Sequence, residues 1–355
     1  MESNREVQKN LIVSRLRFIL EVFLVFFGIF LFLLVPRLLI PSLINKDSIF
    51  YGPIYYAVRA LAIFLAIPIF LYLSNFLFEM QEKNLIVEEK LSPSLSHLKL
   101  YIISEKNFKY QFLYGILILF LVFVPLDFLL YWLVPELLEY SGKALSSQAT
   151  NSYLLAEYSI FIFSVIIIQI CVSIYEETLT RGYLTTRGSD YFDKMSAVFI
   201  SSLYFGLMHF AYFLLPVSRN YPIWFPFIWF LQTYTVAIML SIFITKREWL
   251  FPVIFAHAVN NIISAHAVWN YLQGNDFMAI SIVLYFPLLI ISGILLIVQF
   301  KRIKAGIKTG FKELKNYFKA SEKDGESKRD LYVRLIFDVV MGILIVLIGL
   351  FIFGI

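Results

Sequence analysis

Cysteine is almost absent from this sequence. Cys171 stands alone, so an intrachain disulfide and a cysteine-rich metal site are both excluded. Charge is also scarce, since Asp, Glu, Lys and Arg make up 15% of the 355 residues. The chain has no evident internal repeat and no hydrophilic stretch long enough to fold as a domain by itself. These absences exclude a soluble globular protein of ordinary composition.

Apolar residues dominate instead. They form 60% of the chain, and its 37 Phe and 22 Tyr lie in long apolar runs. A spanning helix needs roughly 20 such residues. The sequence therefore predicts an all-α fold, a polytopic membrane helical bundle of about nine transmembrane helices. The nine runs are 18–36, 53–78, 112–135, 157–176, 195–217, 223–245, 250–268, 277–300 and 333–355.

The basic residues between these runs alternate in number. Of 30 Lys and Arg, 25 fall in one alternate set of segments and four in the other, and Arg59 lies inside a run. The positive-inside rule then predicts a cytoplasmic N-terminus. The basic loops would face anionic membrane lipids rather than a nucleic acid. We expect an integral, multi-pass protein, in the cell membrane if the source is prokaryotic.

The runs divide the chain into four parts. We predict three N-terminal transmembrane helices with a cytoplasmic loop in 1–150, a transmembrane core that carries the candidate site in 151–300, and a C-terminal transmembrane helix in 331–355 that is an appendage. Within 301–330, apolar residues recur every three or four positions among lysines, which is typical of an amphipathic helix at the inner membrane surface. We favour a simple linker role for it over a docking role. Residues 321–330 are polar and predict a flexible connection.

Three polar motifs interrupt the apolar runs, at 176–181, 205–209 and 257–261. Ionisable residues inside a membrane are costly to bury, so several in one bundle indicate a functional site. Glu177 and Arg181 are four residues apart and share a helix face, which predicts an ion pair. Glu176 points away from Arg181 and has no obvious local cation, as expected of a working carboxylate.

The histidines differ in their surroundings. His209 lies in an apolar helix far from either membrane surface, where water cannot easily solvate it. His257 and Asn261 share one face of the next-but-one helix. His266 faces the opposite way near the outer end, and we interpret it as interfacial.

Two further charges, Arg59 and Asp127, lie inside predicted spans at a similar depth. Two interpretations are open: the residues form a structural ion pair, or Arg59 snorkels to the outer interface. Neither interpretation places them near the three motifs.

The three motifs differ in predicted depth. They converge better if the fourth helix continues through Thr178 to Arg187 and ends at Gly188, a suitable C-terminal glycine. Tilt could then draw Glu176 inward. We predict a cavity that opens to the cytoplasmic side.

The order Glu-Glu-x-x-x-Arg, Phe-x-x-x-His and His-x-x-x-Asn resembles the CPBP family, the CAAX protease and bacteriocin-processing group. This family includes type II CAAX prenyl endopeptidases and bacteriocin-immunity proteins. The motif region covers about 154–265, and every motif position matches. The resemblance implies an intramembrane endopeptidase that hydrolyses peptide bonds of membrane-associated or prenylated, CAAX-type substrates.

The resemblance also implies roles for individual residues. Glu176 would activate the attacking water with help from His209, while His257 and Asn261 would stabilise the oxyanion or orient that water. Glu177 and Arg181 would be supporting residues.

Whether the site binds a metal ion is left open. Zn²⁺ held by Glu176, His209 and His257 is a sufficient ligand set, but a ligating Glu176 would no longer be free as the base. We favour direct activation of water by Glu176 without a cofactor.

Two other classes of function remain as alternatives. One is a non-catalytic immunity or maturation protein that binds a peptide. The other is a proton- or ion-coupled transporter, disfavoured because the chain lacks repeats and helix pairs broken by Gly or Pro.

Overall fold

The computed structural model describes residues 2–78, 92–320 and 326–353. Parts of the predicted cytoplasmic loop and polar linker, 79–91 and 321–325, lie outside the described residues. The described backbone is helical and contains no strand, as expected where each peptide group must be satisfied within its own segment. The α-helices are α1 (Glu2–Leu43), α2 (Tyr51–Phe78), α3 (Pro93–Lys99), α4 (Glu105–Ile118), α5 (Val124–Leu133), α6 (Glu136–Ser146), α7 (Tyr158–Glu177), α8 (Thr186–Tyr191), α9 (Lys194–Phe210), α10 (Trp224–Arg247), α11 (Phe251–Leu272), α12 (Phe277–Ile280), α13 (Phe286–Val298), α14 (Phe300–Tyr317) and α15 (Lys328–Phe353).

Nine helical segments among the described residues are long and apolar enough to cross a membrane. This confirms the predicted all-α, multi-pass bundle. Many of their large apolar side chains are exposed, as befits surfaces that face lipid rather than water. The segments are Asn10–Leu43, Tyr51–Phe76, Glu105–Leu133, Tyr158–Tyr191, Lys194–Leu214, Trp224–Arg247, Phe251–Leu272, Phe277–Val298 and Lys328–Ile352.

The fourth span continues past Glu177, as predicted. A π-helical segment, Thr178–Thr185, joins α7 to α8, which ends at Tyr191. The predicted end at Gly188 is wrong, because Gly188 is inside α8 and does not adopt a positive φ. A Cβ there would lie 3.1 Å from the Cβ of Ala197, so this glycine instead lets α8 approach α9 closely.

The turn between these two spans has local causes. Phe192 adopts extended backbone angles and stops α8. The next residue, Asp193, accepts hydrogen bonds at its side chain from the backbone N–H groups of Met195 and Ser196. Such an N-cap satisfies two amide groups that have no partner inside the helix, and so it starts α9.

The bundle encloses its functional residues between two groups of helices. On one side α7 packs against α2 and α11, and on the other α9 packs against α10 and α15. The π-helical segment Thr178–Thr185 contacts both α9 and α10 and joins the groups at one end. At the other end α6 contacts α11 and the 3₁₀ turn Ala149–Leu155. A cavity remains between these two ends.

The terminal helices are fastened to this core. Nη2 of Arg15 in α1 lies 2.5 Å from Oδ1 of Asp338 in α15, and both side chains are buried. Ser196 of α9 and Tyr317 of α14 donate hydrogen bonds to the other carboxylate oxygen at 2.5 and 2.9 Å. The ninth span is therefore an integral part of the bundle, and its interpretation as an appendage is wrong.

The predicted amphipathic helix is confirmed as α14. Tyr317 at its end is buried and stacks on Phe199 of α9 with ring centroids 4.2 Å apart. The apolar side chains of Ile307, Phe311 and Phe318 are exposed, which suits the lipid interface. Whether α14 is a simple linker or a docking element is not decided by these contacts, and the linker role stays a prediction.

Candidate active site

A cavity of about 190 Å³ lies between the two helix groups. The structure brings to it every residue that the sequence singled out for catalysis or support. They come from α7 and its π-helical continuation, from α9 and from α11, which are distant in sequence. These residues are Glu176, Glu177, Arg181, His209, His257 and Asn261.

Glu177 occupies the centre of a buried charged network. Its Oε1 accepts a hydrogen bond from Nη1 of Arg181 at 3.0 Å, which confirms the predicted i, i+4 ion pair. The same oxygen lies 2.7 Å from Nδ1 of His257. The guanidinium of Arg181 also stacks over the ring of Phe205, 4.2 Å from its centroid. Phe205 therefore does more than shape the pocket, since it also covers the cation that Glu177 neutralises.

Glu176 is directed differently, as its helical angle predicts. Its side chain keeps 23% exposure, whereas that of Glu177 has none. Oε2 of Glu176 lies 3.7 Å from Nε2 of His257. The two nitrogens of His257 thus face two adjacent carboxylates, one buried and paired through Oε1, the other accessible from the cavity.

His209 is held by its own helix. Nδ1 lies 2.8 Å from the carbonyl oxygen of Phe205, one turn earlier. A carbonyl can only accept, so Nδ1 carries the proton and the Nε2 of the neutral ring offers a lone pair. The ring of Phe205 packs against that of His209, with centroids 4.6 Å apart. Backbone and aromatic contacts therefore leave the Nε2 atom of His209 for chemistry.

Asp127 is a residue whose surroundings the sequence analysis misjudged. It lines the same cavity as the motifs, since the third span packs against α11. Nε2 of Gln232 donates a hydrogen bond to its Oδ1 at 2.5 Å. The separate placement predicted for Asp127 is wrong, because local sequence cannot reveal which helix α11 contacts.

Arg59 also lies nearer the motifs than predicted. Its guanidinium stacks on Tyr175, 4.6 Å from the ring centroid, and interacts electrostatically with Glu176. Among the described residues it forms no ion pair with Asp127. Arg59 therefore stacks on Tyr175 in place of both predicted arrangements, the ion pair with Asp127 and snorkelling to the outer interface.

The cavity lining reaches the segment between the third and fourth spans. It includes Ser141, Asn151 and Tyr153 from that segment, and Glu177 and Arg181 from the π-helical end. After an odd number of spans, the segment lies across the membrane from the N-terminus. The opening of the cavity to the cytoplasmic side stays a prediction.

His97 is a buried residue that the sequence analysis missed. Its Nδ1 lies 2.9 Å from the carbonyl oxygen of Gly182, inside the π-helical segment that follows Glu177. A π-helical segment departs from the regular α-helical bonding pattern, and this imidazole satisfies one of its carbonyls. Burial lowers the pKa of His97 to about 4, because the charged ring would lose its hydration. No sequence spacing links His97 to Gly182.

His266 packs with Tyr158 and Trp269 near the end of α11, where it was predicted to be interfacial.

For zinc, the described side chains of His, Cys, Asp and Glu include no group of three placed to hold a metal ion. The ligand set Glu176, His209 and His257 therefore stays a prediction.

A comparison with protein families identifies the central part of the chain. Residues 158–263 match the model of the family "Type II CAAX prenyl endopeptidase Rce1-like". The match covers all three motifs and confirms the resemblance inferred from them. No curated protein and no solved structure matches the chain significantly.

Proposed function

We propose that this integral, multi-pass protein is a glutamate-dependent intramembrane endopeptidase, since residues 158–263 match the family of type II CAAX prenyl endopeptidases. The observation that carries the proposal is that the adjacent carboxylates of Glu176 and Glu177 have different surroundings. Oε1 of Glu177 is engaged by both Arg181 and His257, whereas Glu176 faces the cavity. An accessible carboxylate among imidazoles is what activation of water requires.

Glu176 would take a proton from the attacking water. His209 would assist by accepting a hydrogen bond from that water at Nε2, since its Nδ1 donates to the Phe205 carbonyl. The cavity volume of about 190 Å³ exceeds the roughly 30 Å³ that one water occupies. It can thus hold a water beside a peptide group.

His257 and Asn261 would stabilise the oxyanion. Glu177 fixes the imidazole of His257 by accepting a hydrogen bond from Nδ1. When both ring nitrogens carry a hydrogen, Nε2 would donate to the oxyanion. Asn261 lies one turn later on the same helix and adds an amide N–H donor. Donors positioned in advance for developing charge lower the barrier, by about 3–4 kcal/mol each in well-studied sites.

The substrate would be a membrane-associated peptide, with a prenylated, CAAX-type C-terminal tail as the class named by the matching family. The lipid-facing exposure of the surrounding helices supports entry from the membrane rather than from bulk water.

The test compares membrane peptides from cells that carry the wild type with those from cells that carry Glu176→Gln. Peptides with a new terminus should appear only with the wild type, while both proteins insert equally. The purified wild type in lipid vesicles should then cleave the same peptides. Equal cleavage by Glu176→Gln would refute the proposal and favour a peptide-binding protein.

A further inference from the structure

We propose that Asp127 forms a cation-binding subsite of the cavity, which selects substrates that carry a positively charged nitrogen close to the scissile peptide bond. This inference rests on the proposed endopeptidase function. Asp127 lies in the third span and outside the family match at 158–263.

The carboxylate of Asp127 has neutral hydrogen-bonding neighbours, the side chains of Gln232, Asn260 and Ser264. The residue is 4% exposed, and Oδ1 accepts the hydrogen bond from Gln232. Oδ2 is buried and has no hydrogen-bond partner. None of the described Lys and Arg side chains forms an ion pair with it. A buried carboxylate without a cation is costly inside a membrane, so a cationic ligand would be bound strongly.

A second acceptor lies beside it. The side chain of Asn260 in α11 interacts with the Asp127 carboxyl, and its Oδ1 is also buried without a partner. Two such acceptor oxygens suit a nitrogen with several hydrogens, and an ammonium group carries three. The polar end of the cavity therefore suits a ligand group that donates hydrogen bonds better than one that accepts them.

The charge of the whole cavity points the same way. Three carboxylates line it, from Asp127, Glu176 and Glu177. Arg181 pairs with Glu177, and Arg59 interacts electrostatically with Glu176. Asp127 has no Lys or Arg partner among the described residues, so it is the carboxylate left to attract a cationic group.

The subsite lies close to the reacting atoms. Asn260 follows His257 by three residues of α11, a rise of about 4.5 Å along the helix. An extended peptide advances about 3.3 Å per residue. The bound nitrogen should then belong to a residue one or two positions from the bond that is cleaved.

The nitrogen could come from a lysine side chain or from a free N-terminal ammonium. A set of short lipid-anchored peptides separates the two sources. Each peptide carries lysine or norleucine at one of the two positions on either side of the cleaved bond, with a free or an acetylated N-terminus. Wild type, Asp127→Asn and the exposed control Asp47→Asn are compared in lipid vesicles by kcat/KM.

We expect the wild type and Asp47→Asn to prefer the lysine peptide, or the free N-terminus, by roughly tenfold or more, the size expected for a hydrogen bond to a charged group. Asp127→Asn should lose that preference, so that it cleaves the lysine and norleucine peptides with equal kcat/KM. No preference in the wild type would overturn the proposal. Equal loss on every peptide would also overturn it, because that result indicates a structural role.

Binding separates this proposal from the proposed function. Inactive Glu176→Gln, alone and combined with Asp127→Asn, is titrated with the lysine and norleucine peptides. Tighter binding of the lysine peptide that depends on Asp127 supports the subsite even if no cleavage is detected. Equal binding of the two peptides overturns it. Thermal melting shows whether Asp127→Asn is folded; if it is not, Asp127→Glu replaces it and should retain the preference.

Discussion

The carboxylate of Glu177 lies 2.7 Å from Nδ1 of His257, 80 residues further along the chain. The same oxygen accepts the hydrogen bond from Arg181. One buried carboxylate thus connects the fourth span to α11 and neutralises the cation over Phe205. It stabilises the fold and orients the candidate catalytic imidazole at once.

Glu177→Gln should lower both thermal stability and activity. Removal of one partner from a buried ion pair costs about 3–5 kcal/mol, because the other charge remains buried. Melting in detergent and peptide cleavage would be measured together. The control is Glu139→Gln, which removes the partner of Lys143 at the surface, where such a pair contributes little. A Glu177→Gln protein that melts and cleaves like the wild type would contradict the role of this network.

Glu176→Gln should insert and melt like the wild type but lose at least 100-fold in kcat, the usual lower range for removal of a general base. Its carboxylate is partly exposed and forms no hydrogen bond as close as those of Glu177. Glu157→Gln makes the same change at the exposed residue before α7 and should leave the rate unchanged. A similar fall in both variants would show that the effect is not specific to Glu176.

Asp338→Asn should loosen the attachment of the terminal helices. The carboxylate accepts from Arg15, Ser196 and Tyr317, so the amide leaves buried donors without an adequate acceptor. We expect a lower melting temperature in detergent, with cleavage retained at temperatures where the protein stays folded. Glu313→Gln, which removes the exposed partner of Lys246, is the control and should melt almost normally. An unchanged melt for Asp338→Asn would disprove the attachment.

Acid should destabilise the protein through His97. Burial lowers the pKa of this imidazole from 6.5 to about 4, so the folded protein keeps it neutral while the unfolded chain binds a proton below about pH 6.5. Its contribution to stability, about 3 kcal/mol, is present above pH 6.5 and is lost progressively as the pH falls to about 4.

Melting of the wild type and His97→Asn between pH 4 and pH 7 measures this effect. The asparagine amide can still donate to the Gly182 carbonyl but does not titrate. Its melting temperature should depend less on pH than that of the wild type. Parallel curves for the two proteins would exclude His97 as the source.

Removal of divalent metals should leave cleavage intact. The proposed chemistry uses Glu176 directly, and a glutamate that ligates a metal could not serve as the base. Purified protein treated with a strong zinc chelator would be assayed beside its untreated sample, with metal content measured in both. Activity that disappears on chelation and returns with Zn²⁺ would favour the alternative ligand set of Glu176, His209 and His257.

Much of the site was predictable because its signals are local. The pairing of Glu177 with Arg181 follows from four residues on one helix, and the separate direction of Glu176 follows from the same geometry. The continuation of the fourth span past Thr178 was predictable as well. Its end was not, because Gly188 serves the packing of α8 on α9 rather than a C-terminal turn.

The sequence by itself determined the apolar spans, the all-α class and the family resemblance, which the match over residues 158–263 confirmed. These features depend on apolar length and on residue spacing within one helix. Only the tertiary structure decided that His257 contacts Glu177, that Asp127 lines the cavity, and that the cavity reaches the segment between the third and fourth spans. Each of these depends on which helices pack together across the bundle, and side chains far apart in the chain acquire their neighbours only through that packing.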